Sequence, residues 1–204
     1  MRIGVINYGV GNLGSIRNAF AALGHIVHLE CEPSKLMEYD KLILPGVGAF
    51  GDACDMIRKQ GFDEAIREFA KNGRYILGIC LGMQLLFEKS YEFGEHFGLA
   101  LLKGEIVRFA NAPRVPHIGW NQCLPTRFGK NHPILKGLEA HKGIYLYFVH
   151  SYHAVADSKE VLAVCEYGDC FPAIVGYENI FGIQPHPEKS HNIGLQLLHN
   201  FLML

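Results

Sequence analysis

At 204 residues, 49% hydrophobic and 19% charged, the chain has a soluble globular composition and predicts one domain, residues 1–204, with a substantial core. Its 19 basic and 20 acidic side chains nearly cancel, which argues against a nucleic-acid surface, and no apolar run reaches membrane-spanning length. Six cysteines without CxxC spacing read as reduced cytoplasmic thiols, not a disulfide frame or zinc site, and no metal or cofactor is expected.

Met1-Arg2-Ile3 opens directly into a strand, Arg2 to Asn7, leaving no room for a signal peptide. A glycine-rich turn, Tyr8 to Asn12, follows it. Leu13, Ile16, Ala19, Phe20 and Leu23 then repeat at helical spacing until Gly24. Ile26–Leu29 and Lys41–Leu44 are short apolar strands, so βαβ units around a parallel sheet are the economical reading. A second glycine-rich turn, Pro45 to Gly51, sits at a strand's C-terminal end, where open α/β sheets place their ligands. Helices are predicted around Asp52–Lys59 and Phe62–Lys71, with Gly73 as a stop.

The next stretch, Tyr75-Ile-Leu-Gly78-Ile-Cys80-Leu-Gly82-Met-Gln84, begins as a buried strand and ends on helix spacing through Met83, Leu86 and Phe87. Beyond Leu99 come strand-like pieces at Glu105–Phe109, Gly119–Leu124, Ile144–Val149, Val161–Cys165, Ala173–Tyr177 and Ile180–Ile183. The last two predict a hairpin at Glu178-Asn179, and a helix carrying Ile193, Leu197, Leu198 and Phe201 closes the chain. The fold class is therefore α/β: three layers with a central, mostly parallel sheet and a smaller antiparallel region.

Chemistry concentrates at Gly78-x-Cys80-x-Gly82. A strand that turns this tightly into a helix strains the residue at the bend and needs glycine beside it. A cysteine lifted there faces the first helical amides, which favour its thiolate, and the Leu81 N–H is placed to bind an oxyanion. Buried structural cysteine is the competing reading, and the motif alone leaves both open. A nucleophilic cysteine needs an imidazole, and the imidazole a carboxylate to fix its tautomer. His186 and Glu188 alternate on a segment stiffened by Pro185 and Pro187, read as extended, so that one could orient the other. His150 and His117 are the rivals among the eleven histidines.

Cys80 in Gly-Ile-Cys-Leu-Gly-Met-Gln, with His-Pro-Glu at 186–188, resembles the class I (triad) glutamine amidotransferases, whose fold is flavodoxin-like. Four further motifs narrow the resemblance to the glutaminase subunit of imidazole glycerol phosphate synthase, over essentially the whole length. They are Asn7-Tyr-Gly-Val-Gly-Asn12-Leu, Leu44-Pro-Gly-Val-Gly-Ala-Phe50, Pro116-His-Ile-Gly-Trp120-Asn121 and Tyr147-Phe-Val-His-Ser-Tyr152. The resemblance implies that Cys80 attacks the side-chain amide of L-glutamine while His186 relays the proton and Glu188 orients it. It implies oxyanion donors from Leu81 and from the Gly46-Val47 peptide, which in the family turns over before it donates. Gln84 and Glu92 match positions that hold the substrate's amide region and α-ammonium, with Glu88, one turn earlier, as the substitute for Glu92. Ser151 and Tyr152 match positions lending backbone to the pocket. Asn12, Trp120, Tyr147 and Lys189 match positions that dock on a (β/α)₈ cyclase subunit, which receives the ammonia. Pro185 departs from the family's usual phenylalanine.

The alternatives are a paralogous glutaminase feeding a sugar-modifying amidotransferase, a partner-independent γ-glutamyl hydrolase, and a non-catalytic binding subunit. The interface motifs weigh against the hydrolase, and the intact Cys80, His186 and Glu188 set weighs against the binding subunit.

Overall fold

The computed structural model describes residues 1–138 and 143–204. The strands and helices run, in chain order, β1 (Ile3–Ile6), α1 (Leu13–Ala22), β2 (Val27–Glu30), β3 (Lys41–Leu44), α2 (Phe50–Lys59), α3 (Phe62–Lys71), β4 (Tyr75–Ile79) and α4 (Leu81–Leu85). There follow β5 (Lys89–Ser90), β6 (His96–Phe97), β7 (Gly104–Arg108), β8 (His117–Pro125), β9 (Ile144–His150) and β10 (Tyr152–Ala156). The chain ends with β11 (Val161–Tyr167), β12 (Asp169–Tyr177), β13 (Ile180–Ile183) and α5 (His191–Met203).

Strand alternation decides the layering, because successive side chains point to opposite faces. Ile3, Val5, Ile43, Leu77 and Ile79 meet Ile16 and Phe20 of α1 and Leu197, Leu198 and Phe201 of α5. Ile6, Leu42, Leu44 and Ile76 meet the other apolar layer, Phe50 and Ile57 of α2 and Phe62, Ile66 and Phe69 of α3. Phe62, Ile66 and Phe69 are fully buried. At roughly 1.5–3 kcal/mol for each such side chain, this stripe alone gives α3 a strong reason to dock. Lys41 completes the packing of α5: its Nζ donates to the Phe201 and Leu202 carbonyls at 2.8 and 3.0 Å, satisfying acceptors that a helix C-terminus leaves open.

The large sheet is mixed, in the order β2-β1-β3-β4-β13-β12-β11-β8-β9. The pairs from β2 through to β13 are parallel, and those from β13 outward to β9 are antiparallel. The antiparallel strands thus extend the same sheet, and the hairpin at Glu178-Asn179 is its turning point. A second sheet, β10-β7-β5-β6, includes short strands that periodicity does not reveal.

Helix α4 is shorter than its apolar spacing suggests. The crossing segment 99–102 sends its backbone N–H groups to the carbonyls of Leu85, Phe87 and Leu86, at 2.8 to 3.1 Å. Those carbonyls are lost to further helical turns, so the helix stops. Glu88 and Glu92 therefore do not share a helical face.

The β4–α4 junction is as tight as the sequence requires. Cys80 adopts φ 55° and ψ −113°, a conformation that an L-residue holds only when its surroundings demand it. A Cβ on Gly78 would lie 2.5 Å from the Gly82 carbonyl oxygen, and one on Gly82 would lie 1.8 Å from the Leu44 carbonyl oxygen. Gly82→Ala should therefore cost about 3 kcal/mol in chemical denaturation, as an overpacked core position does. A loss under about 0.5 kcal/mol would show that the junction yields easily, contrary to this packing.

Candidate active site

Cys80 and the base loop leave the sheet side by side because β4 and β13 are parallel neighbours, with Gly78 opposite Gly182. The Cys80 N–H donates to the Ile183 carbonyl at 2.8 Å. After β13, the Gln184 N–H bonds Ala173 of β12 while the His186 N–H bonds Tyr147 of β9, both carbonyls lying within 2.9 Å. Pro185 sits buried at this change of partners. A residue without an N–H leaves no donor unpaired there.

His186 and Glu188 come together by a different route from the extended segment expected. Residues Pro187–Lys189 form a 3₁₀ turn, and the turn brings Glu188 Oε1 to 2.7 Å from His186 Nδ1. Ser190 locks the loop: its hydroxyl donates to the His186 carbonyl at 2.6 Å and accepts the Tyr147 N–H at 3.0 Å. With Nδ1 engaged by the carboxylate, Nε2 has no hydrogen-bond partner among the described residues. Burial pulls the His186 pKa down, but the Cys80 sulfur and the Glu188 carboxylate outweigh it and push it up to about 10. The imidazole is thus primed to hold a proton beside the sulfur.

A cavity of about 320 Å³ opens on this pair and is also lined by Val47, Gln84, Glu92, Ser151 and Tyr152. Gln84 Nε2 spends its two hydrogens on the Tyr152 carbonyl and on Gln184 Oε1, each at 2.9 Å. The wholly buried Gln184 in turn points Nε2 at the Cys80 sulfur, 3.9 Å away. Glu92 reaches the cavity from the loop after β5, and its Oε2 accepts the Phe50 N–H at the start of α2, at 2.7 Å. Glu88 turns elsewhere, accepting the Gly104 N–H at 2.8 Å, and does not line the cavity.

On the oxyanion side, Leu81 opens α4, so its N–H has no intrahelical acceptor. A Cβ on Gly46 would fall 2.9 Å from Gly82 N, from Leu81 Cβ and from the Tyr8 hydroxyl oxygen. Glycine at 46 thus serves close approach, whereas only Gly48 uses a left-handed φ, +96°. The Tyr8 hydroxyl donates to the Pro45 carbonyl at 2.9 Å, anchoring this loop from below.

The sequence profile of the family described as "Glutamine amidotransferase class-I" matches residues 4–204. The chain belongs to the class I glutamine amidotransferases. It is 52% identical to the imidazole glycerol phosphate synthase subunit HisH of Helicobacter hepaticus, over 100% of this chain and 99% of that one. It is 53% identical to the subunit of the same name from Wolinella succinogenes, over 98% of each. Among solved structures, one described as a glutamine amidotransferase superposes with a TM-score of 0.77 at 21% identity, covering 100% of this chain and 98% of the other. PurLQS from Thermotoga maritima gives 0.77 at 23% identity, covering 99% and 97%. At such identities these last two speak for the fold alone.

Within this amidotransferase the remaining candidates fall on one surface. Trp120 is 47% exposed, stacks on His191 at 5.0 Å and meets Tyr147 edge-on at 6.1 Å. Lys189 Nζ lies 5.9 Å from the Tyr147 ring centroid. Asn12 caps α1, its Oδ1 accepting the Ser15 N–H at 3.4 Å, and Ser15 shares a surface groove with Lys189. His150 and His117, the rivals for the base, are not paired with a carboxylate among the described residues. Burial brings His150 down to about 3 and His117 to about 4, so both are neutral. Two residues that sequence reasoning passed over, Gln184 and Ser190, lie in the stretch that carries His186. Only their buried hydrogen bonds mark them.

Glu188→Gln removes one of the two groups that hold the imidazolium, so the His186 pKa should fall. The cysteine–imidazole ion pair then forms less readily near neutrality. Glutamine turnover should drop about 10²–10⁴-fold. The His186 ring should lose its proton at lower pH than in the wild type, as ¹H–¹⁵N NMR of the labelled ring reads. An unshifted His186 titration would mean that Glu188 does not set the charge of this ring.

Proposed function

We propose that Cys80, His186 and Glu188 are the nucleophile, acid–base group and orienting carboxylate of the glutaminase reaction. The single observation behind this is the convergence, in one cavity, of the strained Cys80 turn and His186, whose Nδ1 lies 2.7 Å from the Glu188 carboxylate behind it. Cys80 sulfur adds to the side-chain amide carbon of L-glutamine. The oxyanion that forms is bound by the Leu81 N–H and by the Gly46-Val47 peptide. His186 delivers its proton to the amide nitrogen as the C–N bond breaks, releasing ammonia and leaving a glutamyl thioester. Water then attacks with His186 as base, and glutamate leaves as Cys80 is restored.

Gln84, Ser151 and Tyr152 form the wall against the substrate's amide end. The Glu92 carboxylate is suited to the α-ammonium, since it is the acidic side chain lining the cavity. The chain is the glutaminase subunit of an imidazole glycerol phosphate synthase and serves histidine biosynthesis, as its full-length likeness to the HisH subunits establishes. The finer part of the proposal is a cytoplasmic heterodimer with a (β/α)₈ cyclase, which converts the ammonia into imidazole glycerol phosphate and AICAR.

Support for the docking side comes from the outward face of the β8–β9 pair. Ile118, Trp120 and Leu124 alternate on β8, and Tyr145 and Val149 on β9, all exposed. Apolar exposure of this kind on one sheet face marks an interaction site more often than chance. It also adjoins the base loop, because Tyr147 of β9 bonds both His186 and Ser190. A subunit seated on this face would press on the strand that holds the catalytic imidazole.

Cys80→Ala should abolish glutamine-dependent synthesis in the reconstituted complex while leaving synthesis from ammonium salts, because free ammonia bypasses the thioester. Glutamine hydrolysis within about tenfold of wild type would contradict the nucleophile assignment.

A further inference from the structure

His117 and His150 stand directly opposite each other on β8 and β9. Both are buried, and their tautomers can be deduced one atom at a time. His150 Nδ1 lies 2.8 Å from the Tyr152 carbonyl, which can only accept, so that nitrogen carries the hydrogen. His150 Nε2 is then a bare acceptor. His117 Nδ1, 3.1 Å from it, must be the donor. That leaves His117 Nε2 to accept, and Asn121 Nδ2 approaches it to 3.5 Å.

Aromatic packing fixes the rings in these positions. His117 stacks on Tyr167 at 3.9 Å and on Phe148 at 4.8 Å, while His150 is flanked by Phe109 and Phe171, each at 5.1 Å. The far end of the series is the active site. The Tyr152 carbonyl also accepts from Gln84, Gln84 donates to Gln184, and Gln184 touches the Cys80 sulfur. Because the Tyr152 oxygen accepts from both sides, the series passes no proton. It can only hold its members in place.

We propose that His117 and His150 are positioning residues of the glutaminase reaction. Held as Nδ1–H tautomers, they pin the Tyr152 carbonyl and, through it, the Gln84 amide at the wall of the cavity. The inference rests on the reading of that cavity as the glutamine site. It gives β8, whose outer face carries Trp120, a polar connection to the substrate pocket that is separate from the one through Tyr147 and His186.

The first test is long-range ¹H–¹⁵N NMR on the full-length chain labelled at histidine, at neutral pH, with the two signals assigned by their loss in His117→Asn and His150→Asn. Both rings should show the Nδ1–H pattern. An Nε2–H tautomer or an imidazolium at either ring would overturn the proposal. The second test is glutamine kinetics in the complex with the cyclase. His150→Phe keeps a ring but loses the donor, and should raise KM roughly three- to tenfold, with KM moving more than kcat. His150→Asn, whose Nδ2–H can replace Nδ1–H, should recover most of the wild-type KM. Equal KM values for the Phe and Asn variants would overturn the positioning role. Because the NMR needs no substrate, wrong tautomers there overturn the bracing alone. Glutamine hydrolysis that survives Cys80→Ala would instead overturn the reading of the cavity.

Discussion

The hydrogen bond from the Cys80 N–H to the Ile183 carbonyl, 2.8 Å long, joins the two halves of the site. It continues the parallel pairing of β4 with β13, strands separated by about a hundred residues of sequence. Because these strands end together, a turn after one and a loop after the other open onto the same cavity. Cys80 occupies the turn and His186 the loop. The glycines at 78 and 82 are the steric condition for this arrangement, since any side chain at either would collide with backbone. Strain at Cys80 is thus held by packing on several sides, as it is where a reactive side chain must be presented.

Around that joint the polar groups are largely buried. His186 is buried with one nitrogen committed to Glu188, and Gln84 and Gln184 are committed to each other and to fixed acceptors. Low dielectric makes each of these bonds stronger and any unpaired polar group costlier, so the site is stiff where its atoms must be placed. The base loop is the point of contact with the outside. Tyr147 holds it by two backbone hydrogen bonds from β9, while its own ring packs among Trp120 and Lys189 at the surface. On the proposed assignment docking and catalysis share a strand, which would be a short mechanical path for a partner's arrival to reach the imidazole.

Much of this is legible in the sequence. Strands β1, β3 and β4 read as nearly continuous apolar runs because helices cover both faces there, and the Gly-x-Cys-x-Gly stretch states its own geometry through what it omits. The hairpin at Glu178-Asn179 was equally plain, being local. Features made by distant contacts were not. The short strands β5, β6 and β10 have no periodicity of their own, and α4 stops where residues 99–102 take its carbonyls. For the same reason Glu88 stayed open in sequence as a substitute for Glu92, although one caps Gly104 and the other reaches the cavity. His186 and Glu188 were rightly paired, but through a 3₁₀ turn and not an extended run. Gln184 and Ser190 carry no signal beyond ordinary polarity until their burial is known.

On the proposed mechanism Cys80, presented by the β4–β13 joint, forms a covalent intermediate with glutamine. Mass spectrometry of the complex, quenched with acid during steady-state turnover, measures this most directly. A glutamyl adduct is expected on the peptide carrying Cys80, absent before glutamine is added and lost on chasing. An adduct on any of the other five cysteines, or turnover with no acylated cysteine even when thioester hydrolysis is slowed, would contradict it.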